Sequence, residues 1–262
     1  MNKLEPNKFF FDLESAKARF QSIDHKKPFQ VLFFGSRERG DYTQFSDYNF
    51  YLIASAEDQI RTSFHDMIHD TLEELVQDNN VNIVSSDPDS FSSRMELIEP
   101  SVTHIMEFGN IIFGEKEFSN QKRKWEECKK LKFDPVPLLS FLESRVKFYK
   151  SIRPKSTKED IARLEKVISL TIQTWVISSI DDLSITEIAF LDIPTRMPKL
   201  IKTLYNSKIS KDVLLLTSVY EEIHDLKRSM NVLLTGSEDY VDKLKDSINQ
   251  LQDLSREIER IV

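Results

Sequence analysis

Cysteine is all but missing from this chain: Cys128 is the only one in 262 residues. An internal disulfide is excluded, and so are the zinc sites built from several cysteines. A reducing, cytoplasmic setting is expected. Long apolar runs are absent too. None approaches the roughly 20 residues of a membrane span, and Met1 to Phe20 carries scattered charges instead of the apolar core of a signal peptide. Neither a membrane partner nor a leader is expected. Positive charge is in deficit, with a net charge of −7. General nucleic-acid binding is not expected, because phosphate backbones are held mainly by excess Lys and Arg. A local pocket for one nucleotide remains open. Glycine is scarce as well, with only five residues against a usual share of about 7%.

What is present suffices for a sizeable core. Hydrophobic residues make up 40% and charged residues 30%, with both signs mixed along the chain. The first 115 residues read as alternating helix and strand. Leu13, Ala16, Phe20 and Ile23 recur at helical spacing. Phe29 to Phe34 and Tyr48 to Ala54 are short apolar runs that read as buried strands. Ile60, Phe64, Met67, Ile68, Thr71, Leu72 and Leu75 line one face of a long amphipathic helix. Val81 to Val84 reads as a third strand, Ser101 to Glu107 as a short helix, and Asn110 to Phe113 as a last strand before Gly114.

After Phe133 the strand signal fades. Pro135 and Pro137 mark a boundary. Leu138, Phe141, Leu142, Val146 and Tyr149 repeat at helical spacing, as do Ile161, Leu164, Val167, Ile168, Ile172 and Trp175. Two further helices are expected over Lys211 to Leu234 and Glu238 to Ile261, with Gly236 as a C-cap between them. The expected organisation is an α+β domain with a mixed sheet over residues 1–120, a linker over 121–136, and an all-α helical bundle over 137–262.

The informative stretch runs from Val31 to Ile53. A buried strand leads into Gly35-Ser36, a loop follows, and Ser46-Asp47 leads into the second strand. Gly35 and Gly40, two of the five glycines, fall within six residues of each other. Glycine lets the backbone reach positive φ or approach a ligand closely. Backbone N–H groups and the Ser36 hydroxyl at a helix start suit phosphate oxygens. Arg37 and Arg39 add guanidinium groups suited to a triphosphate.

This stretch closely resembles the signature of the DNA polymerase beta-like nucleotidyltransferase superfamily, in particular its minimal and antibiotic-modifying branches. The residues that match are Gly35, Ser36, Arg37, Arg39, Gly40, Ser46 and Asp47. The resemblance is strong over about 25 residues and extends loosely to Phe118. It implies a nucleotidyltransferase fold, a nucleoside triphosphate held by Gly35, Ser36, Arg37, Arg39 and Ser46, and Mg²⁺ held by three carboxylates. Asp47 stands at the first of these and would anchor the metal. The second and third positions hold Asn49 and Asn82. An amide has the shape of a carboxylate without its charge, and Mg²⁺ usually requires carboxylates plus substrate phosphate. A two-metal clamp must also neutralise the attacking and leaving oxygens.

The resemblance therefore implies a catalytically impaired or inactive relative, with Mg²⁺ bound weakly or not at all. Such a protein would keep at most nucleotide binding or a protein-interaction role. Two alternatives stand beside it. One is an active enzyme moving a nucleoside monophosphate to a small-molecule or protein hydroxyl, with a further carboxylate supplied by Asp87 or Asp89, which lie just past the third strand with a proline between them that suggests a turn. The other is an antitoxin-like or structural protein with no ligand, its site plugged by Phe45, Tyr48 or Tyr51. The helical half resembles the accessory domains that accompany this fold and bind an acceptor or a protein partner. Ribonuclease versions of such domains place Arg a few residues before His. His224 has no Arg in the seven residues before it.

His65 and His69, four apart, have a spacing compatible with zinc but read as solvated helix surface. Two basic runs, Lys122 to Lys132 and Arg196 to Lys211, read as solvated helix faces.

Overall fold

The computed structural model describes residues 13–23, 28–41, 46–55, 57, 62–76, 81–205 and 209–233. The expected Gly236 cap and the helix beyond it lie outside these residues, as do Ile60 and Phe45. The chain divides into two compact units, Met1–Lys132 and Phe133–Val262. Among the described residues, the first is α+β and the second entirely helical.

The first unit runs α1 (Leu13–Gln21), β1 (Gln30–Phe34), α2 (Ser36–Arg39), β2 (Tyr48–Ile53), α3 (Thr62–Val76), β3 (Val81–Ser86), α4 (Pro88–Glu96), α5 (Pro100–Phe108), β4 (Asn110–Phe113) and α6 (Glu115–Cys128). The four strands form one mixed sheet in the order β3-β2-β1-β4. β1 is antiparallel to both β2 and β4, whereas β2 and β3 are parallel. Parallel neighbours need a crossover, and α3 supplies it.

Strand alternation assigns the two faces. Val31, Phe33, Phe50 and Leu52 point to a core shared with Ala16 and Phe20 of α1 and with Phe64, Ile68 and Leu72 of α3. The alternate residues point the other way, where Phe34 meets His104 of α5 and Tyr51 meets Phe91 of α4 in edge-on ring contacts.

Prolines open three of these helices' turns, against the expectation at two of them. Pro88 does not make a turn between Asp87 and Asp89. It is the first residue of α4, and Asp87 caps the helix by accepting from the Ser90 backbone N–H at 2.9 Å. Proline is favoured there because the first helical N–H has no partner to lose. Pro100 opens α5 under the Glu99 cap in the same way. In the second unit Pro135 starts α7 (Pro135–Ser151) with Asp134 as its cap, so it begins a helix where an interruption was expected. The linker expected over 121–136 is correspondingly short. Residues 121–128 continue α6, where Trp125 is buried and its indole N–H donates to Glu107.

The second unit continues with α8 (Thr157–Ser179), α9 (Ile185–Phe190), α10 (Met197–Leu204) and α11 (Lys211–Leu233). Both α7 and α11 pack along α8. α9 and α10 were not legible in the sequence, being short, with Pro194 between them and Pro198 in the first turn of α10. A Ser184–Glu187 capping box starts α9. The core of this unit carries polar groups. The Gln173 amide donates to the Leu191 carbonyl at 3.0 Å, and Glu165 meets His224 Nδ1 at 2.9 Å. Burial pushes the Tyr220 phenol well above its ordinary value. Among the described residues, no helix is long and apolar enough to cross a membrane.

One polar network clamps the first unit beneath β2. Arg94 donates to the Tyr51 hydroxyl at 2.9 Å, to Glu99 at 3.1 Å and to Ser101 at 2.7 Å. Glu99 is buried and also accepts from the Val102 backbone N–H. The network holds the α4–α5 junction, where Ile98 adopts φ 56, a conformation that costs a β-branched residue about 1–3 kcal/mol. Glu99→Ala strips Arg94 of its buried counter-ion and α5 of its cap. The expected loss is about 3 kcal/mol, read as a lower urea midpoint. An unchanged midpoint would show that the clamp does not hold the junction.

Candidate functional site

The site begins where β1 ends. Gly35 follows Phe34 with φ 93 and ψ −160, a region open essentially to glycine alone. A Cβ on Gly35 would lie 3.0 Å from Nδ2 of Asn49. The backbone kinks here into the single turn of α2, closed by Gly40 in the left-handed conformation and by the Asp41 N–H donating to the Ser36 carbonyl at 3.1 Å. The helix start expected to cradle phosphate is therefore only four residues long, too short to build an appreciable dipole.

The register of the sheet brings the two amides together. Phe34 pairs with Asn49 across β1 and β2, and Asn49 pairs directly with Asn82 across β2 and β3. Nδ2 of Asn82 donates to Oδ1 of Asn49 at 2.8 Å, and Nδ2 of Asn49 reaches the Asp47 carbonyl at 3.4 Å. The result is a directional amide chain from Asp47 through Asn49 to Asn82. Asn82 is exposed, while Asp47 and Asn49 are half-buried. Of the three positions matched to carboxylates, only Asp47 carries charge.

The two arginines are turned onto the protein. Nε of Arg37 donates to the Ser46 carbonyl at 2.6 Å, and its guanidinium lies 4.0 Å from the centre of the Tyr48 ring. It braces the far end of the loop against α2. Arg39 has a side chain only 7% exposed, pairs with Asp41 at 3.2 Å and meets Nε2 of His104 at 3.0 Å. Glu38, between them, accepts from the Asn110 side chain at 2.8 Å. Burial pushes the Glu38 carboxyl above its ordinary value, against the lowering pull of Arg39.

Of the side chains expected to plug the site, the two that are described are engaged elsewhere. Tyr48 is buried in the core on the opposite face of the sheet, and Tyr51 is buried beneath Phe91 and held by Arg94. The carboxylates weighed as replacements are remote. Asp87 lies five residues beyond Asn82, about 16 Å along the strand. It is spent as the α4 cap, and its two hydrogen bonds from Ser90 hold its carboxyl below the ordinary range. His69, Asp70 and Glu73 bring ligating atoms within 4.8 Å of one another. They sit on α3, which covers the other face of the sheet, and His65 is not among them. His69 and Glu73 form an ordinary helix pair at 3.5 Å.

Sequence reasoning missed the partners that fix the site's surroundings: Asn110 for Glu38, His104 for Arg39 and Arg94 for Tyr51. These contacts span 72, 65 and 43 residues, and no local spacing announces them. Comparison with family models and with curated proteins returns no match.

Two outcomes test this geometry. Gly35→Ala forces a side chain into a glycine-only conformation and against the Asn49 amide. The expected cost is about 1–3 kcal/mol, together with a displaced Asn49 side-chain amide signal in NMR; an unmoved signal and unchanged stability refute the close approach. The stabilisation from Asp87 is fully present above its unfolded value of 3.8 and is lost as the pH falls through its lower folded value. Asp87→Ala should therefore flatten the acid limb of the stability profile. Equal acid sensitivity in both proteins would remove Asp87 from that role.

Proposed function

We propose that the first unit is a nucleotidyltransferase-type domain in which the metal-dependent transfer chemistry has been silenced while its binding frame is kept. The observation that carries this reading is the register match of Asn49 with Asn82, beside Gly35 and two residues beyond Asp47. That is where a two-metal carboxylate cluster would be assembled, and amides stand in two of its three places. A neutral, hydrogen-bonded amide pair offers no anionic seat for two divalent cations. Losing one electrostatic contributor at an active site commonly costs about 10²–10³ in rate, and two losses in one site need not multiply.

Under this reading, Gly35, Ser36 and Ser46 line what remains of a nucleotide seat, Mg²⁺ contributes little, and the helical unit serves an acceptor or a protein partner. The commitment of Arg37 and Arg39 to Ser46, Tyr48, Asp41 and His104 favours a second reading, in which the domain is an interaction module with no nucleotide at all.

Calorimetry with ATP, GTP, CTP and UTP, with and without Mg²⁺, separates the two. Binding that is indifferent to Mg²⁺ supports a retained nucleotide seat; no binding supports the interaction module. The frame itself is tested by the double variant Asn49→Asp, Asn82→Asp. Two carboxylates at hydrogen-bonding distance repel, so without metal this variant should melt below the wild type. Mg²⁺ or Mn²⁺ at about 100 times its dissociation constant should then raise its melting temperature by about 5–10 °C, with no rise in the wild type. A double variant that ignores both ions would refute the metal-site geometry, and Mg²⁺-dependent transfer by the wild type would refute the silencing.

A further inference from the structure

The basic runs noted in the sequence are partly absorbed by the fold. Lys122 donates to the Met106 carbonyl, and Lys129 pairs with Glu107 and Glu126. Arg196 stacks on Phe190 at 4.7 Å, and Lys202 meets Glu221 at 3.5 Å. A third run, which the sequence reading passed over, is not absorbed. From Ser144 to Lys158 there are six basic residues and no acidic one. They occupy the last turns of α7, the segment that follows it and the first turn of α8. Among the described residues, Lys147, Lys150, Arg153 and Lys155 make no ion pair, whereas Arg163, Lys166, Lys202 and His224 each meet a carboxylate.

An aromatic platform stands among these cations. Phe148 is 54% exposed. It is held edge-on against Tyr149 at 5.4 Å, and the Arg145 guanidinium lies 5.7 Å from its ring and 5.1 Å from that of Tyr149. Arg145 is fixed in turn by donating to the Tyr149 hydroxyl at 3.1 Å. An exposed Phe ring is thus presented in one orientation, on a stretch of chain whose lysines are also exposed.

We propose that this strip, Arg145 to Lys155, binds single-stranded nucleic acid. One base stacks on Phe148, and Lys147, Lys150, Arg153 and Lys155 take the phosphates. Stacking on an exposed ring combined with backbone-tracking cations is how such strands are held without sequence preference. The net charge of −7 does not oppose this, because charges beyond about 8–10 Å are screened at physiological salt. An anionic membrane suits the strip less well. A membrane-surface helix turns its apolar face outward, whereas α7 buries Leu138 and Leu142 along α8. An acidic protein segment would use the cations and leave the ring idle.

The test is fluorescence anisotropy of the full chain with labelled twelve-nucleotide oligo(U) and oligo(dT), at several salt concentrations. The expected result is binding whose affinity falls with salt at a logarithmic slope of about −3, four contacts at about 0.7 each. Lys150→Glu with Arg153→Glu should weaken it at least tenfold, and Phe148→Ala about tenfold. Saturating ATP should leave it unchanged, which separates this strip from the candidate site of the first unit. All the substituted side chains are exposed, and circular dichroism confirms that the variants fold. No binding to either oligonucleotide overturns the proposal, as does binding that both variants leave intact. Equal affinity for poly-glutamate, indifferent to Phe148, would show simple polyanion attraction and overturns it too. Binding to phosphatidylserine vesicles but to no oligonucleotide would assign the strip to a membrane instead.

Discussion

The parallel pairing of β2 with β3 is the constraint on which the first unit turns. Parallel strands cannot be joined by a tight turn, so the chain must cross over. The helix α3 makes that crossover and anchors it through Phe64, Ile68 and Leu72 in the core. With that face packed, the register cannot slip, because a slip of one residue would turn Val81 and Ile83 of β3, which pack against the core, toward the opposite face. The same register that keeps Ile83 against the core sets Asn82 opposite Asn49. The candidate site is thus a by-product of hydrophobic packing on the far side of the sheet.

Around that pair, charge is distributed in an unusual way for a phosphate site. The amides are neutral and satisfy each other. The arginines of the following turn satisfy a carbonyl, a ring, an aspartate and a histidine. Each of these contacts stabilises the loop, and each withdraws a group from a ligand. In the helical unit the balance is reversed. There the Gln173 amide N–H and Glu165 find partners within the bundle, while four cations along the end of α7 and the segment after it are left facing solvent. The resources for binding an extended anion therefore lie in the unit that shows no enzymatic motif.

The helix starts were harder to read than the strands, for one physical reason. Pro88, Pro100 and Pro135 each look like a break, since proline cannot donate a hydrogen bond and clashes inside a helix. All three stand in the first turn, where no donor is needed, and each follows a carboxylate that caps the free N–H groups: Asp87, Glu99 and Asp134. An acidic residue directly before a proline was the available signal; at Asp87-Pro88 it suggested a turn, and at Pro135 a boundary, where the second unit does begin at Phe133 but its first helix starts at the proline itself.

The sequence by itself determined the four strands, the crossover helix, the three long helices described in the second half and the positions of Gly35, Asp47, Asn49 and Asn82, because period-two and period-3.6 patterns and glycine placement are local properties of the chain. Only the tertiary structure decided that Asn49 and Asn82 share a hydrogen bond, that Asp87 is a cap at the far end of its strand, and that Arg37 and Arg39 face inward. It alone decided that Phe148 and its lysines are left uncovered. The amide pair and the contact of Arg39 with His104 depend on which distant segment packs against the residue, and contacts across 33 and 65 residues leave no periodic trace in the chain.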